Sequence, residues 1–231
     1  MHVGKEMDGY EACRLAYAEV TAESYIYWNV RSEGYADLET QRLTAALGQL
    51  PASTQTAGYV AELGSGYGRN WPLLKQKFPE ATVLQFEQSP ANLWIAVSLM
   101  DVPVLNCHCK AIQSVKWQTL AGLFDVVVDW WTLSYLEPSD ISKVLLGVRQ
   151  AIQPAGFFVL CLPVIFRQGM RSGPSDVGMT YRTPDWYEAH FKAAGLVSYT
   201  TNQSAQYYPA GTTADGTEYG REAVWILTPG S

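Results

Sequence analysis

The sequence predicts an α/β fold with a seven-stranded, mostly parallel sheet and helices on both faces. Three observations predict it. Short apolar strands alternate with helices after residue 55, a strand–glycine turn–helix unit opens this series, and two strands close it with no helix between them. The closing pair predicts a terminal antiparallel β-hairpin. We expect one core domain over residues 55–231, preceded by an N-terminal helical cap or lid over residues 1–54.

The N-terminal region has helical spacing of apolar residues. The stretch "YAEVTAESYIYWN" shows this spacing in part, and "ADLETQRLTAALGQL" (Ala36 to Leu50) shows it throughout. The second stretch places one apolar stripe on a helix face, which would cover the core. The predicted stripe consists of Leu38, Leu43, Ala46, Leu47 and Leu50.

The alternating region supplies the remaining elements. Strands are predicted at residues 59–63, 81–87, 102–108, 124–131, 156–164, 197–208 and 222–228, and helices at 68–78, 89–100, 138–152 and 183–196. Ser89 and Pro90 are typical of a helix start, and Gly195 is typical of a helix end. The segment "FDVVVDWW" is apolar on both faces, as a central parallel strand must be.

Composition excludes several classes of function. The net charge is −6, and the 16 Lys and Arg residues form no basic run, so no nucleic acid or membrane partner is expected. No apolar run reaches the ~18–20 residues of a membrane span, and the first residues lack the apolar core of a signal peptide. The four cysteines are interpreted as reduced thiols of a cytoplasmic protein.

The segment "NCHCK" invites a metal site, but its spacing argues against one. In a strand, Cys107 and Cys109 share one face while His108 points to the other, and no second Cys/His cluster supplies further ligands. We therefore expect buried strand cysteines and no metal.

The stretch "YVAELGSGYGRNW" (59–71) combines a strand, a glycine turn and a helix start. Gly64 and Gly66 permit a turn that a Cβ would obstruct, and they let a ligand approach the backbone. Arg69 stands where a dinucleotide-binding G-x-G-x-x-G motif has its third glycine, which disfavours a nicotinamide oxidoreductase. Glu87 ends the next strand, where a carboxylate can accept both ribose hydroxyls. A plain strand-to-helix turn is the alternative.

Four motifs resemble the class I S-adenosylmethionine-dependent methyltransferases, which have a Rossmann-like fold. "ELGSGYGR" is similar to the first motif, "VLQFEQS" to the second, "LFDVVVDWWTLSYL" to the fourth-strand motif, and "AIQPAGFFVL" to the turn into the fifth strand. The resemblance covers roughly residues 55–228 and implies an enzyme that uses S-adenosyl-L-methionine and releases S-adenosyl-L-homocysteine.

The resemblance also implies a role for each cofactor-binding residue. Arg69 would pair with the methionine carboxylate, Glu62 would meet the amino group, and Glu87 would hold the ribose. Gln88, Ile112 and Gln113 would lie around the adenine, and the residues after strand four would lie nearest the sulfonium. The implied cofactor-binding set is Glu62, Gly64, Gly66, Gly68, Arg69, Glu87, Gln88, Ile112, Gln113, Asp129 and Trp130. For the carboxylate of Glu62 and the apolar Ile112, a purely structural role is the alternative.

Aromatic residues are the candidates for acceptor binding. The architecture places the N-terminal segment and the segments after strands four and five around the cofactor's methyl group, where aromatic rings can desolvate and orient an acceptor. The predicted acceptor-binding residues are Tyr25, Trp28, Trp131, Tyr135 and Tyr181, and the predicted catalytic residues are Asp129, Trp131 and Tyr135. Ordinary packing of the core and lid is the alternative.

The acceptor class stays open at this stage. The sequence predicts methyl transfer to nitrogen or oxygen of a small molecule or peptide. It is also similar to the protein α-N-terminal methyltransferases, but Tyr135 stands where that group has a histidine, and Leu162 and Pro163 replace its Asp–Asn pair. A non-catalytic partner subunit that keeps the fold and the cofactor is the competing prediction.

Overall fold

The structure is a computed structural model that describes residues 35–164, 180–199, 205–209 and 221–230. Its strands are β1 (Tyr59–Leu63), β2 (Thr82–Glu87), β3 (Cys107–Cys109), β4 (Phe124–Trp130), β5 (Ile152–Val164), β6 (Leu196–Ser198), β7 (Gln206–Pro209) and β8 (Arg221–Pro229). Its α-helices are α1 (Tyr35–Gly48), α2 (Trp71–Lys77), α3 (Pro90–Leu99), α4 (Pro138–Ala151) and α5 (Pro184–Ala193).

All described strands belong to one sheet with the order β3-β2-β1-β4-β5-β8-β6, and β7 also pairs with β8. Strands β1 to β5 run parallel, whereas β8 is antiparallel to β5, β6 and β7. The predicted fold class is thereby confirmed. The order reverses between β1 and β4, and the carboxyl ends of these neighbouring strands flank the crevice in which such sheets bind ligands.

Helices cover both faces of the sheet. On one face, Leu43 and Leu47 of α1 and Leu74 of α2 pack with Val60 and Val128 in one core cluster. On the other face, residues of α4 and α5 pack with the opposite side chains of β1, β4 and β5. Burying both faces requires strands that are apolar throughout, which explains the Val126–Val128 run of β4.

The stripe predicted for α1 is wrong at its first position. Leu38 is 48% exposed, whereas the neighbouring Glu39 and the nearby Arg42 are buried. The helix is turned so that these two charged residues face inward, because each finds an oppositely charged partner there. The cap over residues 1–54 stays a prediction, because residues 1–34 lie outside the described part of the chain.

The third strand is shorter than predicted. Pro103 cannot donate to a ladder, and Val104–Asn106 form a 3-10 turn, so β3 begins only at Cys107. Because β3 is the edge strand, Cys107 is half-buried and Cys109 is exposed, and the prediction of buried cysteines at these positions is wrong. Among the described residues, no group of three or more His, Cys, Asp and Glu is arranged to hold a metal.

The penultimate strand is divided into β6 and β7, which pair with different parts of the same edge of β8. Ser198 pairs with Leu227 and Gln206 pairs with Val224, so seven residues separate these paired positions on this side and two separate them on β8. None of the described helices is long and apolar enough to cross a membrane. The cytoplasmic location stays a prediction.

Candidate functional site

The crevice at the strand switch brings the end of β1 next to the end of β4. Leu63 pairs with Asp129 in the ladder, and the glycine turn begins at the next residue, Gly64. The Thr132 hydroxyl donates a 2.9 Å hydrogen bond to the Leu63 carbonyl. The predicted first motif and the predicted fourth-strand motif therefore form one site.

The glycine turn has a backbone that other residues rarely adopt. Gly64, Gly66 and Gly68 have φ values of +59°, +55° and +80°. A Cβ added at Gly64 would lie 2.1 Å from the Thr132 hydroxyl oxygen. The turn is therefore glycine-rich both for its conformation and for close contact with the segment after β4.

Glu87 joins the end of β2 to this turn. One carboxylate oxygen accepts from the Gly66 N–H at 2.9 Å, and the other accepts from the Ser89 N–H at 2.8 Å. Burial raises the pKa of Glu87, and the backbone hydrogen bonds oppose this rise. Each oxygen has a further lone pair, so the carboxylate can also accept from two hydroxyls of a ribose.

Glu62 is held from two sides by neutral amides. Asn70 donates to one oxygen at 2.8 Å and Gln85 to the other at 3.0 Å. Burial raises the pKa of Glu62 to about 7, while the hydrogen bond from Asn70 and the charge of Arg69 act in the opposite direction. Both oxygens are thus satisfied by side-chain amides, which is compatible with the structural role given above as the alternative.

Asp129 is fully buried, and within the described part of the chain one of its oxygens is bonded. Its Oδ1 accepts from the Thr132 N–H at 3.0 Å and the Leu133 N–H at 3.4 Å, which caps the 3-10 turn Thr132–Tyr135. Its Oδ2 has no hydrogen-bond partner among the described residues. Burial raises the pKa of Asp129 to about 8, and the nearby Glu62 carboxylate contributes to the rise.

Arg69 follows the glycine turn and forms an ion pair with Glu39 of α1. Its side chain is 22% exposed, whereas that of Glu39 is 4% exposed. Arg69 thus pairs with a buried carboxylate while part of its side chain stays exposed. Sequence reasoning did not identify Glu39, although its spacing to Leu43 and Ala46 put it on the buried stripe of α1.

The two tryptophans after Asp129 differ in environment. Trp130 is 7% exposed and packs in the core cluster beneath α1 and α2, and no described residue accepts from its indole N–H. Trp131 is half-buried and has a left-handed backbone, with φ +79°. Its backbone N–H donates to the Cys161 carbonyl at 2.8 Å. A left-handed bulky residue is strained, and such strain concentrates at functional sites.

The segments carrying Tyr135 and Tyr181 lie next to each other. The Thr180 N–H donates to the Ser134 carbonyl at 2.9 Å, and both tyrosines are half-buried. A bridge between Val164 and Arg182 ties the same region to the end of β5. The structure therefore gathers the segments of Trp131, Tyr135 and Tyr181 at one end of the sheet. Tyr25 and Trp28 lie outside the described residues.

The predicted adenine side lies at the ends of β2 and β3. Gln88 is exposed and Gln113 is half-buried, so both can be reached by a ligand. Ile112 is 3% exposed and packs with Phe86 and Trp117 in the core. This agrees with the purely structural role that is the alternative for this residue. Its side chain supports the floor of this side of the site.

The residues fit a ligand that carries both cationic and anionic groups. Three buried carboxylates, Glu62, Glu87 and Asp129, face the turn region, and burial raises the pKa of each, so a cationic group beside them would favour their charged forms. The unpartnered Oδ2 of Asp129 suits an ammonium or sulfonium group, and Arg69 suits a carboxylate. S-adenosyl-L-methionine carries all of these groups together with a ribose.

Comparison with known protein families also indicates a methyltransferase domain. Residues 60–156 match the family model described as "Methyltransferase domain". Comparison with curated protein sequences gave no match.

Three solved structures share the fold across most of both chains. A SAM-dependent methyltransferase from Leishmania major has a TM-score of 0.72 and 16% identity and covers 95% of this chain and 83% of its own. The Burkholderia thailandensis 1,6-didemethyltoxoflavin-N1-methyltransferase, solved with 1,6-didemethyltoxoflavin and S-adenosylhomocysteine, has a TM-score of 0.69 and 15% identity, covering 100% and 94%. A chain of the complex that contains the Haloferax volcanii Trm112 methyltransferase activator has a TM-score of 0.65 and 15% identity, covering 90% and 97%.

These similarities agree with the arrangement of the crevice. The sheet order, the left-handed glycine turn after β1 and the carboxylate at the end of β2 are the features on which the sequence resemblance depended. Residues 60–156 are thus similar to a methyltransferase domain, the chain has the fold seen in S-adenosylmethionine-dependent methyltransferases, and the cofactor that fits the crevice is S-adenosyl-L-methionine.

Proposed function

We propose that this chain is an active methyltransferase that modifies a nitrogen or oxygen atom of a small molecule or peptide. The end of β4 carries the proposal. There, a buried carboxylate with an unpartnered oxygen, Asp129, stands two residues before Trp131, which is held in a strained backbone. One group suits the cationic cofactor and the other suits its acceptor.

The cofactor supplies an electrophilic methyl carbon on a sulfonium when it is bound. The chain has to bind the cofactor, hold the acceptor lone pair in line with that carbon, and exclude water. In our proposal Asp129 and Glu62 face the ammonium end, Glu87 accepts from the ribose, and Arg69 meets the carboxylate.

The acceptor is placed by the aromatic residues beyond β4 and β5. Trp131 forms one wall of the acceptor site, and Tyr135 and Tyr181 come from adjoining segments. Aromatic faces bind cationic amines and stack on aromatic acceptors. We assign to the Tyr135 hydroxyl the role of holding the acceptor proton that must leave, and Tyr25 and Trp28 complete the same proposed set.

A free peptide N-terminus is the less supported acceptor. Leu162 is fully buried in the core, and Pro163 pairs with Glu222 in the ladder between β5 and β8. Neither residue can replace the polar pair found in the protein α-N-terminal methyltransferases. The Burkholderia neighbour is a 1,6-didemethyltoxoflavin-N1-methyltransferase, which favours a small-molecule acceptor.

The second candidate is a cofactor-binding partner subunit without its own activity. The similarity to the complex with a methyltransferase activator favours this class, because it shows that this fold works in hetero-complexes. The complete set of buried carboxylates counts against a chain that has lost catalysis.

The test separates cofactor binding from methyl transfer. Tritiated S-adenosylmethionine would be offered with small aromatic amines, phenols, nitrogen heterocycles and short peptides, and S-adenosylhomocysteine binding would be measured by calorimetry. The variant is Trp131→Gly, because glycine keeps the left-handed backbone while the ring is removed. We expect transfer to fall at least about a hundredfold and binding of S-adenosylhomocysteine to change less than about threefold.

Trp94→Ala is the matched control, since Trp94 is 63% exposed on α3. Cofactor binding without transfer to any acceptor class would favour the non-catalytic subunit. Equal loss of transfer in Trp94→Ala and Trp131→Gly would contradict the assignment of Trp131.

A further inference from the structure

Helix α1 carries two charged residues on its buried side. Glu39 is 4% exposed and pairs with Arg69 of the glycine turn, and Arg42 is 8% exposed and pairs with Glu222 of β8. The two residues are three positions apart and therefore share one face of the helix. Through them, α1 is attached both to the cofactor side of the crevice and to β8.

The ion pair between Glu39 and Arg69 is expected to persist when an anion reaches Arg69. Glu39 is almost completely buried, and its ion-pair partner in this structure is the Arg69 guanidinium. Withdrawing the guanidinium would leave a buried carboxylate without its counter-charge, which is strongly unfavourable. A ligand carboxylate is therefore bound by a guanidinium that stays where Glu39 holds it.

We propose that Glu39 is a positioning residue for the cofactor. It fixes the Arg69 guanidinium so that its exposed side meets the carboxylate of the methionine part. The proposal depends on the proposed function, because it takes Arg69 as the carboxylate-binding residue. The planar guanidinium binds a carboxylate best in one orientation, so an anchored arginine loses less freedom on binding than a mobile one.

The attachment of α1 itself does not require Glu39. Leu43 and Leu47 are buried against the sheet, and Arg42 makes its own ion pair with Glu222. Replacing Glu39 should therefore leave the helix packed while Arg69 loses its ion pair with α1. This separates a positioning role from a purely structural one.

The effect of Glu39 on binding of the amino-acid part can be measured by comparing two ligands. S-adenosylhomocysteine carries the amino-acid carboxylate, and 5′-methylthioadenosine lacks the whole amino-acid part. In Glu39→Gln we expect affinity for S-adenosylhomocysteine to fall about tenfold and affinity for methylthioadenosine to change less than twofold. Glu39→Asp, which keeps the charge on a shorter side chain, should restore part of the loss.

Two further variants keep the outcomes distinct. Glu222→Gln removes the other ion pair of α1, and we expect it to lower the melting temperature without changing the ratio of the two affinities. In an Arg69→Gln background, Glu39→Gln should have no further effect on that ratio.

An unchanged or increased ratio in Glu39→Gln, or an equal change in Glu222→Gln, would overturn the proposal. A wild-type protein that binds neither ligand would instead overturn the proposed function. An unchanged ratio in Arg69→Gln alone would overturn the role of Arg69 and the inference with it.

Discussion

On the β1–β2 side of the crevice, each oxygen of Glu62 and Glu87 accepts a hydrogen bond from the chain itself. On the β4 side, Asp129 leaves Oδ2 without a partner among the described residues, and Trp131 has a left-handed backbone. On the first side, both carboxylates are fully paired before any ligand arrives. The second keeps a buried oxygen that costs roughly 1–3 kcal/mol when unsatisfied.

This difference indicates which side of the crevice gains more free energy when the ligand binds. A side whose carboxylates are already paired can bind a ribose with little rearrangement, because the position of Glu87 is fixed by the backbone of the turn. A side with an unpaired buried carboxylate gains most when a cation arrives, because the ligand removes an existing penalty. The predictions below test this comparison, from the largest expected effect to the smallest.

Gly64→Ala should cause the largest loss. Gly64 and Gly122 both have positive φ, +59° and +64°, but a Cβ at Gly64 meets the Thr132 side chain whereas nothing lies within 4 Å of one at Gly122. We expect Gly122→Ala to lower the free energy of unfolding by about 1 kcal/mol, from its backbone alone. Gly64→Ala should lower it by about 3 kcal/mol and abolish binding of S-adenosylhomocysteine.

Urea unfolding and calorimetry measure the two effects of these glycine variants. Equal losses at Gly64 and Gly122 would show that Thr132 moves aside without cost. In that case the two sides of the crevice would not be tightly joined.

The raised pKa of Asp129 leads us to expect that cofactor binding depends on pH. The pKa values of Asp129 and Glu62 are raised by burial to about 8 and about 7. The folded protein therefore holds more protons than the unfolded chain between about pH 4 and pH 8, so these groups make the ligand-free protein less stable as the pH rises through that window. An ammonium group beside them favours the charged carboxylates, so binding should release protons.

We expect affinity for S-adenosylhomocysteine to rise about three- to tenfold from pH 6 to pH 8, and this rise to shrink in Asp129→Asn. Calorimetry in two buffers of different ionisation enthalpy counts the released protons. Asp125→Asn is the control, because Asp125 lies at the other end of β4 and accepts from the Gly58 and Tyr59 N–H groups. A pH dependence that survives in Asp129→Asn would place the cation elsewhere.

The β1–β2 side could be predicted from sequence much further than the β4 side and the helix above it. Gly66 and Glu87 lie 21 residues apart at the ends of consecutive strands, and the backbone requirements of the glycine turn are visible in the residue types. The partners of Glu62, namely Asn70 and Gln85, could not be read from the sequence, because amides occur in many environments. The same limit applies to Arg42 and Glu222, which are 180 residues apart.

The errors in α1 and β3 have local physical causes. Leu38 was expected inside on its apolarity, but the buried ion pairs of Glu39 and Arg42 set the rotation of the helix. The apolar run before Cys107 was expected to be a strand, but it lies at the edge of the sheet, where Val104 and Leu105 are exposed. Apolarity alone therefore did not decide burial at either place.

Ser89→Ala should give the smallest effect, and it tests whether the β1–β2 side is as rigid as its hydrogen bonds suggest. Ser89 caps α3 by accepting from the Asn92 N–H at 3.3 Å, and its own N–H donates to Glu87. Thr183 caps α5 in the same way, accepting from the Trp186 N–H at 3.2 Å, far from Glu87 in the sequence. Each alanine variant should lower the free energy of unfolding by about 1 kcal/mol.

Only Ser89→Ala should also weaken binding of S-adenosylhomocysteine, by about threefold, because a frayed start of α3 loosens the N–H that orients Glu87. The measurement is calorimetry on both variants at one temperature below their melting points. Equal affinities in the two variants would mean that the Gly66 N–H alone orients Glu87. The preformed character of this side would then come from the glycine turn and not from the helix that follows β2.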